Sequence, residues 1–279
     1  MFLTPKEIID AYIAGTRNKA KMSTGTIIGK AILAGMMIAM GAASSSVAAH
    51  DIANVGLARL TAAVVFPVGL MMVVLLGAEL FTGDCLMAVA LPKKEITGKK
   101  FAGFLLLVYF GNMIGSVLLA LLVYLSGQLD YSGGKLGAYT IKVALGKAVL
   151  SPEKGISSGI LCNILVCAAV LMALAAKDVA GKILASFFVI MLFVTGGYEH
   201  CVANMYYIPA GLMAKMNPAY VEVAMNEYGL TADKLDMLNV QNMCIQNLIP
   251  VTIGNIIGGS LVVGLALYYL SGNHKDAKN

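Results

Sequence analysis

The sequence predicts an all-α membrane protein whose six transmembrane helices form two inverted three-helix repeats. Three observations lead there. The 279-residue chain is 59% hydrophobic and only 13% charged, with a mean hydropathy of +0.81, too apolar for an ordinary soluble domain. Six apolar runs, at 27–49, 61–91, 101–126, 156–176, 183–213 and 244–270, each reach the ~20 residues that a spanning helix needs. One motif also occurs twice, as Gly111-Asn112-Met113-Ile114-Gly115-Ser116 in the third run and Gly254-Asn255-Ile256-Ile257-Gly258-Gly259 in the sixth. A half with three crossings ends on the side opposite its start, so two such halves lie inverted in the bilayer, a plan shared by many transport proteins.

Residues 1–22 read as an amphipathic cytoplasmic helix, 23–271 as the six-helix transmembrane domain and 272–279 as a cytoplasmic tail. The first segment lacks the long apolar core and small-residue cleavage site of a signal peptide. Thr4 caps its helix, Pro5 suits the first position and Glu7 completes a capping box. Ile8, Ile9, Tyr12 and Ile13 share one face, which suits either a brace or gate on a pore or an inert interfacial anchor.

Runs two and five are too long for one plain span, and each carries a polar, glycine-containing interruption: Gly77 to Asp84, and Gly196 to Asn204. Gly77-Ala78-Glu79 in one answers Gly197-Tyr198-Glu199 in the other, and Ala31-Ile32-Leu33-Ala34-Gly35 is weakly echoed by Gly159-Ile160-Leu161-Cys162-Asn163. Backbone that leaves the helix at membrane depth survives only inside protein or along a cavity, so the two breaks are expected to meet near the centre. An ionisable side chain there costs roughly 2.5–3.5 kcal/mol on insertion scales and normally faces a water-filled path, which singles out Glu199 and His200. The Gly111/Gly115 and Gly254/Gly258 pairs are read as close helix packing.

Lysines and arginines set the orientation. With the N-terminus inside, most of the 20 fall on the inner side, including Lys6, Arg17, Lys19, Lys30, Lys93, Lys94, Lys99, Lys100, Lys275 and Lys278, whereas Arg59, Lys135, Lys142, Lys147, Lys154, Lys215 and Lys234 lie outside. Both termini are therefore expected to be cytoplasmic. The five cysteines fall in apolar segments without metal-ligand spacing and are read as buried thiols; neither a metal site nor a cofactor is expected. Trp is absent, leaving the interfacial role to Tyr124, Tyr206, Tyr207, Tyr268 and Tyr269. Basic residues do not interleave with aromatics, which argues against nucleic acid. The outer segment Gly127–Gly155 has room for a short helix and Pro218–Gly229 for another, with Asn217-Pro218-Ala219 as a helix-start turn.

The stretches Gly77-Ala78-Glu79-Leu80-Phe81-Thr82-Gly83, Gly159-Ile160-Leu161-Cys162-Asn163, Gly197-Tyr198-Glu199-His200-Cys201-Val202-Ala203-Asn204-Met205 and Asn247-Leu248-Ile249-Pro250 through Gly258-Gly259 resemble the formate/nitrite transporter family of bacterial anion channels. Four ordered motifs across nearly the whole chain make the resemblance specific. It implies an aquaporin-like protomer with broken second and fifth helices, a homopentamer with one pore per protomer in the plasma (inner) membrane, and a small monovalent anion as substrate: formate, nitrite, hydrosulfide or a related weak acid. Carried over by motif, it implies that Thr82 and His200 form the central site, that Lys147 lines the outer vestibule and that Asn163 lies near the histidine. It also implies an outer constriction of Leu70 and Phe193 and an inner one of Leu80 and Val202. This chain departs from some relatives in Glu79, in Gly83 and Asp84 after the threonine, and in Cys201 after the histidine.

A desolvated anion in an apolar pore is costly unless paired or neutralised, and a weak acid escapes that cost by taking a proton. Lys147 is expected to attract the anion and His200 with Thr82 to meet it. His200, the residue type that titrates nearest working pH, then donates either a hydrogen bond or a proton, with relay from bulk water through the substrate equally open. Glu199 and Glu79 either orient the histidine or pair across the repeats, and Asn204 belongs to the same site. Formate leads among the substrates, with hydrosulfide or nitrite as alternatives. An aquaporin-like neutral-solute channel is the other class, disfavoured by the single Asn-Pro-Ala. No nucleophile elbow or cofactor fingerprint supports an enzyme.

Overall fold

The structure, a computed structural model, describes residues 2–274; most of the expected tail, with Lys275 and Lys278, lies outside them. Helix α1 (Pro5–Lys19) opens with the expected capping box, the Thr4 and Glu7 side chains each bonding the other's backbone N–H. It is followed by α2 (Thr24–Ala49), α3 (Val55–Val65), α4 (Val68–Leu76), α5 (Phe81–Asp84, continued by a 3₁₀ stretch Cys85–Ala90) and α6 (Gly98–Leu125). The second half has α7 (Lys135–Ala148), α8 (Pro152–Ala175), α9 (Val179–Gly196), α10 (Cys201–Ala214), α11 (Pro218–Tyr228), α12 (Ala232–Asp236) and α13 (Val240–Leu270).

Six helical segments among the described residues are long and apolar enough to cross a membrane: Thr24–Ala49, Val55–Leu76, Gly98–Leu125, Pro152–Ala175, Val179–Gly196 and Val240–Leu270. Ser23, Asn54, Thr97 and Asp178 start four of them, each side chain accepting an orphan backbone N–H of the first turn. Leu106, Phe110, Leu118, Leu122, Leu184, Phe188 and Leu192 are exposed, as apolar side chains on the outer face of a spanning helix are.

The two halves pack alike. In the first, α2 lies along α6; in the second, α8 lies along α13. The repeated glycines set both distances: a Cβ on Gly115 would overlap the Ile32 carbonyl oxygen, and one on Gly258 the Ile160 carbonyl oxygen. This is the close backbone approach that small residues permit in a membrane. In α13, Met243–Leu248 and Ile257–Leu265 are wound as π-helix, which shifts the register of its inward-facing side chains relative to a regular helix.

The α1 face is buried in the protein: Ile9, Tyr12, Ile13 and Thr16 are all covered, and the Tyr12 hydroxyl donates to the Gly83 carbonyl at 2.9 Å. Helix α1 therefore braces the broken helix of the first half. The expected short helices are α7, which packs on α10, and α11, which packs on α7. Asn217 caps α11 through its side-chain oxygen, 3.0 Å from the Ala219 N–H. Two expectations change. Cys244 is only partly buried, unlike the other four thiols, because it sits on the first turns of α13. Tyr206 and Tyr268 are buried at 3% and 1% exposure and so form core rather than an interfacial belt.

Candidate functional site

Both breaks are built by the same local conformations. Helix α4 ends at Gly77 with φ +66°, and α9 ends at Gly197 with φ +69°. Left-handed backbone there suits glycine, which has no Cβ to clash. The chain then runs extended through Leu80 (φ −113°, ψ 123°) and His200 (φ −112°, ψ 114°), the residues that begin α5 and α10. Leu80 and His200 are thus equivalent positions, as are Glu79 and Glu199, Thr82 and Val202, and Asp84 and Asn204.

At the centre, Thr82 Oγ1 and His200 Nε2 lie 2.9 Å apart; the two residues are 0% and 2% exposed. The other ring nitrogen, Nδ1, accepts the Ala203 backbone N–H at 3.0 Å, so His200 caps α10 with its own imidazole. A neutral ring accepting at Nδ1 carries its hydrogen on Nε2, and that hydrogen is donated to Thr82. Behind Thr82, its carbonyl accepts Asn163 Nδ2 at 3.1 Å and the Cys167 thiol at 3.4 Å. Asn163 also donates to the Asn255 carbonyl at 2.6 Å, so it supports the threonine rather than touching the histidine.

Glu199 faces away from His200, because successive side chains of an extended segment point to opposite sides. It pairs with Lys147 at 2.9 Å and accepts Asn204 Nδ2 at 2.6 Å and Asn247 Nδ2 at 3.2 Å. Asn204 Nδ2 also donates to Asn247 Oδ1 at 2.7 Å. Glu79 is held the same way in the other half, by Lys19 at 2.6 Å and Lys30 at 3.8 Å. Lys19 reaches Asp84 Oδ1 as well, at 2.5 Å. Burial alone would lower the pKa of Lys19, but Asp84, Tyr12 and Glu79 outweigh it and hold the ammonium above its ordinary value.

Two cavities approach the Thr82–His200 pair. One, of about 600 Å³, is lined by Phe66, Phe193, Lys147, Asn204 and His200 itself. The other, of about 440 Å³, is lined by Lys19, Lys30, Glu79, Asp84, Leu70 and Leu80. Ser45, Ser46 and Ala49 border the first and Lys30 the second, and at 1.5 Å per residue along α2 these are opposite ends of a spanning helix. Phe193 stands edge-on to Phe66, with ring centroids 5.7 Å apart. Leu70, expected beside Phe193, instead lines the α1-side cavity with Leu80. Val202 is fully buried, and its carbonyl accepts the Ser116 hydroxyl at 3.4 Å.

Reading the sequence alone missed Lys19, whose partners lie at least 60 positions away, and Phe66. It also missed Asn112, Asn247 and Asn255, which sit in helices whose glycines looked like packing motifs. Their signal was burial of a polar amide, which a hydropathy run hides.

The comparisons with known proteins agree with this arrangement. The sequence profile of the family described as formate/nitrite transporter matches residues 6–269. The formate channel FocA of Haemophilus influenzae is 37% identical over 221 residues, covering 78% of this chain and 76% of that protein. A probable formate transporter of Methanothermobacter thermautotrophicus is 33% identical over 286 residues, covering 96% and 97%. A solved structure described as a pentameric formate channel with formate bound superposes with a TM-score of 0.80 at 32% identity, covering 89% of this chain and 97% of that one. With a matched profile spanning nearly the whole sequence and a fold of two inverted, centrally broken halves, this chain belongs to the formate/nitrite transporter family.

Proposed function

We propose that the protein is a channel for a small monovalent weak-acid anion, formate first, that crosses the pore centre as the neutral acid. It works as a homopentamer in the plasma membrane, with both termini and α1 on the cytoplasmic side. The observation that carries this reading is the 2.9 Å contact between Thr82 and His200, set between two cavities that each hold a lysine against a buried glutamate.

Lys147 and Lys19 draw an anion into the two mouths. Each is already paired with a carboxylate, so the mouths attract without trapping. Between them the walls are apolar, Phe66 and Phe193 on one side, Leu70 and Leu80 on the other, and a bare anion there forfeits its hydration. At the centre the chain offers hydrogen bonds in place of charge. Because the Ala203 N–H occupies Nδ1, a second proton on His200 would face a donor instead of an acceptor, which favours the neutral ring. Nε2–H donates to Thr82 Oγ1, leaving the threonine hydroxyl hydrogen free for a substrate oxygen. The proton that neutralises the anion then comes from the mouths or bulk water, and His200 orients the threonine.

The test is flux into proteoliposomes of purified protein, comparing formate, nitrite, hydrosulfide and glycerol above and below neutral pH. Formate influx accompanied by protons, without glycerol permeation, is the expected result. Preference for nitrite or hydrosulfide would change the substrate within the same mechanism. Glycerol permeation without any anion would overturn the reading.

A further inference from the structure

Asp84 lies four residues after Leu80, as Asn204 lies four residues after His200, so the inverted repeat places them at matching positions. Their surroundings match too. Asn204 donates its amide N–H to Glu199, which Lys147 neutralises. Asp84 is joined to Glu79 through Lys19, whose ammonium reaches both carboxyl groups. An amide can donate to a glutamate as it stands, whereas a carboxyl can do so only with a proton on it.

Asp84 is 1% exposed, and one oxygen accepts from Lys19 while the other, Oδ2, has no N–H or O–H donor. Nearby candidates are engaged elsewhere: the Tyr12 hydroxyl donates to the Gly83 carbonyl and the Cys167 thiol to the Thr82 carbonyl. Lys30 reaches Glu79 at 3.8 Å, and Lys182 lines the same cavity. A buried carboxylate oxygen without a donor is costly, and a proton on Oδ2 removes that cost while giving this position the donor that the Asn204 amide supplies in the other half. The cavity wall then holds this carboxyl two residues from Thr82.

We infer that Asp84 is a proton-carrying carboxyl at the α1-side mouth, the donor and acceptor through which a permeating weak acid gains or loses its proton on that side of the pore. On entry the Asp84 O–H bond breaks and its proton passes to the anion's oxygen, leaving Asp84 as a carboxylate; a hydrated proton that enters the cavity from bulk then restores the O–H bond. On exit the neutral acid returns its proton by the reverse step. Asn204 cannot do this, so the two mouths differ in proton exchange despite their common architecture. The inference rests on the neutral-acid reading of the pore.

The experiment uses the full-length protein in proteoliposomes with a trapped pH dye and clamped membrane potential, driven by a formate gradient. Asp84→Asn, nearly isosteric and matching the second half, should lower proton-coupled formate flux by about tenfold or more, most at alkaline pH where free protons are scarce, and Asp84→Glu should restore most of it. Infrared difference spectra of the wild type should show the carbonyl stretch of a protonated carboxylic acid, absent in Asp84→Asn and shifted in Asp84→Glu. Co-transport with an Asp84→Asn pH profile that parallels the wild type, or no protonated-acid band, overturns the proposal alone. If Asp84→Asn does not fold, the wild-type band and the Asp84→Glu shift decide it. A wild-type formate current with no accompanying proton removes the neutral-acid reading and this proposal with it.

Discussion

Asn112 and Asn255 make the same three hydrogen bonds in opposite halves of the protein. Asn112 Oδ1 accepts the Phe81 N–H at 2.9 Å, and its Nδ2 donates to the carbonyls of Ala31 at 2.7 Å and Glu79 at 3.0 Å. Asn255 Oδ1 accepts the Cys201 N–H at 3.0 Å, and its Nδ2 donates to the carbonyls of Gly159 at 2.8 Å and Glu199 at 3.1 Å. Each amide thus satisfies backbone groups that the break withdraws from helical bonding, deep in a membrane where water does not do so. Replacing either with Asp removes two donors and should cost about 2–4 kcal/mol, equally in both halves. Thermal unfolding in detergent followed by circular dichroism checks this, since the chain has no Trp for fluorescence. Markedly unequal losses would count against the equivalence.

Gly115→Ala and Gly258→Ala should each destabilise by about 1–3 kcal/mol through overpacking against a carbonyl, with Gly115 facing Ile32 and Gly258 facing Ile160. Gly103, also in α6, has open space where a Cβ would go, so Gly103→Ala should stabilise by about 0.5–1 kcal/mol. The same unfolding assay separates packing glycines from incidental ones.

The Lys147–Glu199 pair is largely buried, its side chains 17% and 11% exposed. Lys147→Met strands a carboxylate held only by two amides and should cost about 3–5 kcal/mol, with formate flux falling as well. Adding Glu199→Gln removes the stranded charge, so the double variant should regain most of the stability without regaining flux. A double-mutant cycle measures the coupling, and additive losses would mean that the pair does not act as a unit.

Acid should loosen the start of α1. The Glu7 carboxyl is held below its ordinary pKa by the Thr4 backbone N–H and hydroxyl. A depressed carboxylate contributes fully above its ordinary value, and the contribution is lost as pH falls through the lowered one. Hydrogen exchange at the first turn of α1 should therefore speed up as pH drops, after correction for intrinsic exchange. Glu7→Gln should remove that dependence, and an unchanged pH profile in this variant would show that the capping box is not the cause.

Six spans, two broken helices and the inverted repeat were legible because hydropathy, glycine and spacing are local signals that a bilayer enforces strictly. The sequence alone determined that Glu199 and His200 needed a reason to be in a membrane, and Thr4, Pro5 and Glu7 announced α1 through adjacent residues. Only the tertiary structure decided where those side chains point. An extended backbone sends Glu199 to Lys147 and leaves His200 to cap α10 and meet Thr82, a partner 118 positions away. It likewise decided that α1 lies buried on the first break, with Lys19 joining Glu79 and Asp84. Such pairings depend on two inverted halves closing on each other, and distance in space across that closure leaves no periodicity in the chain.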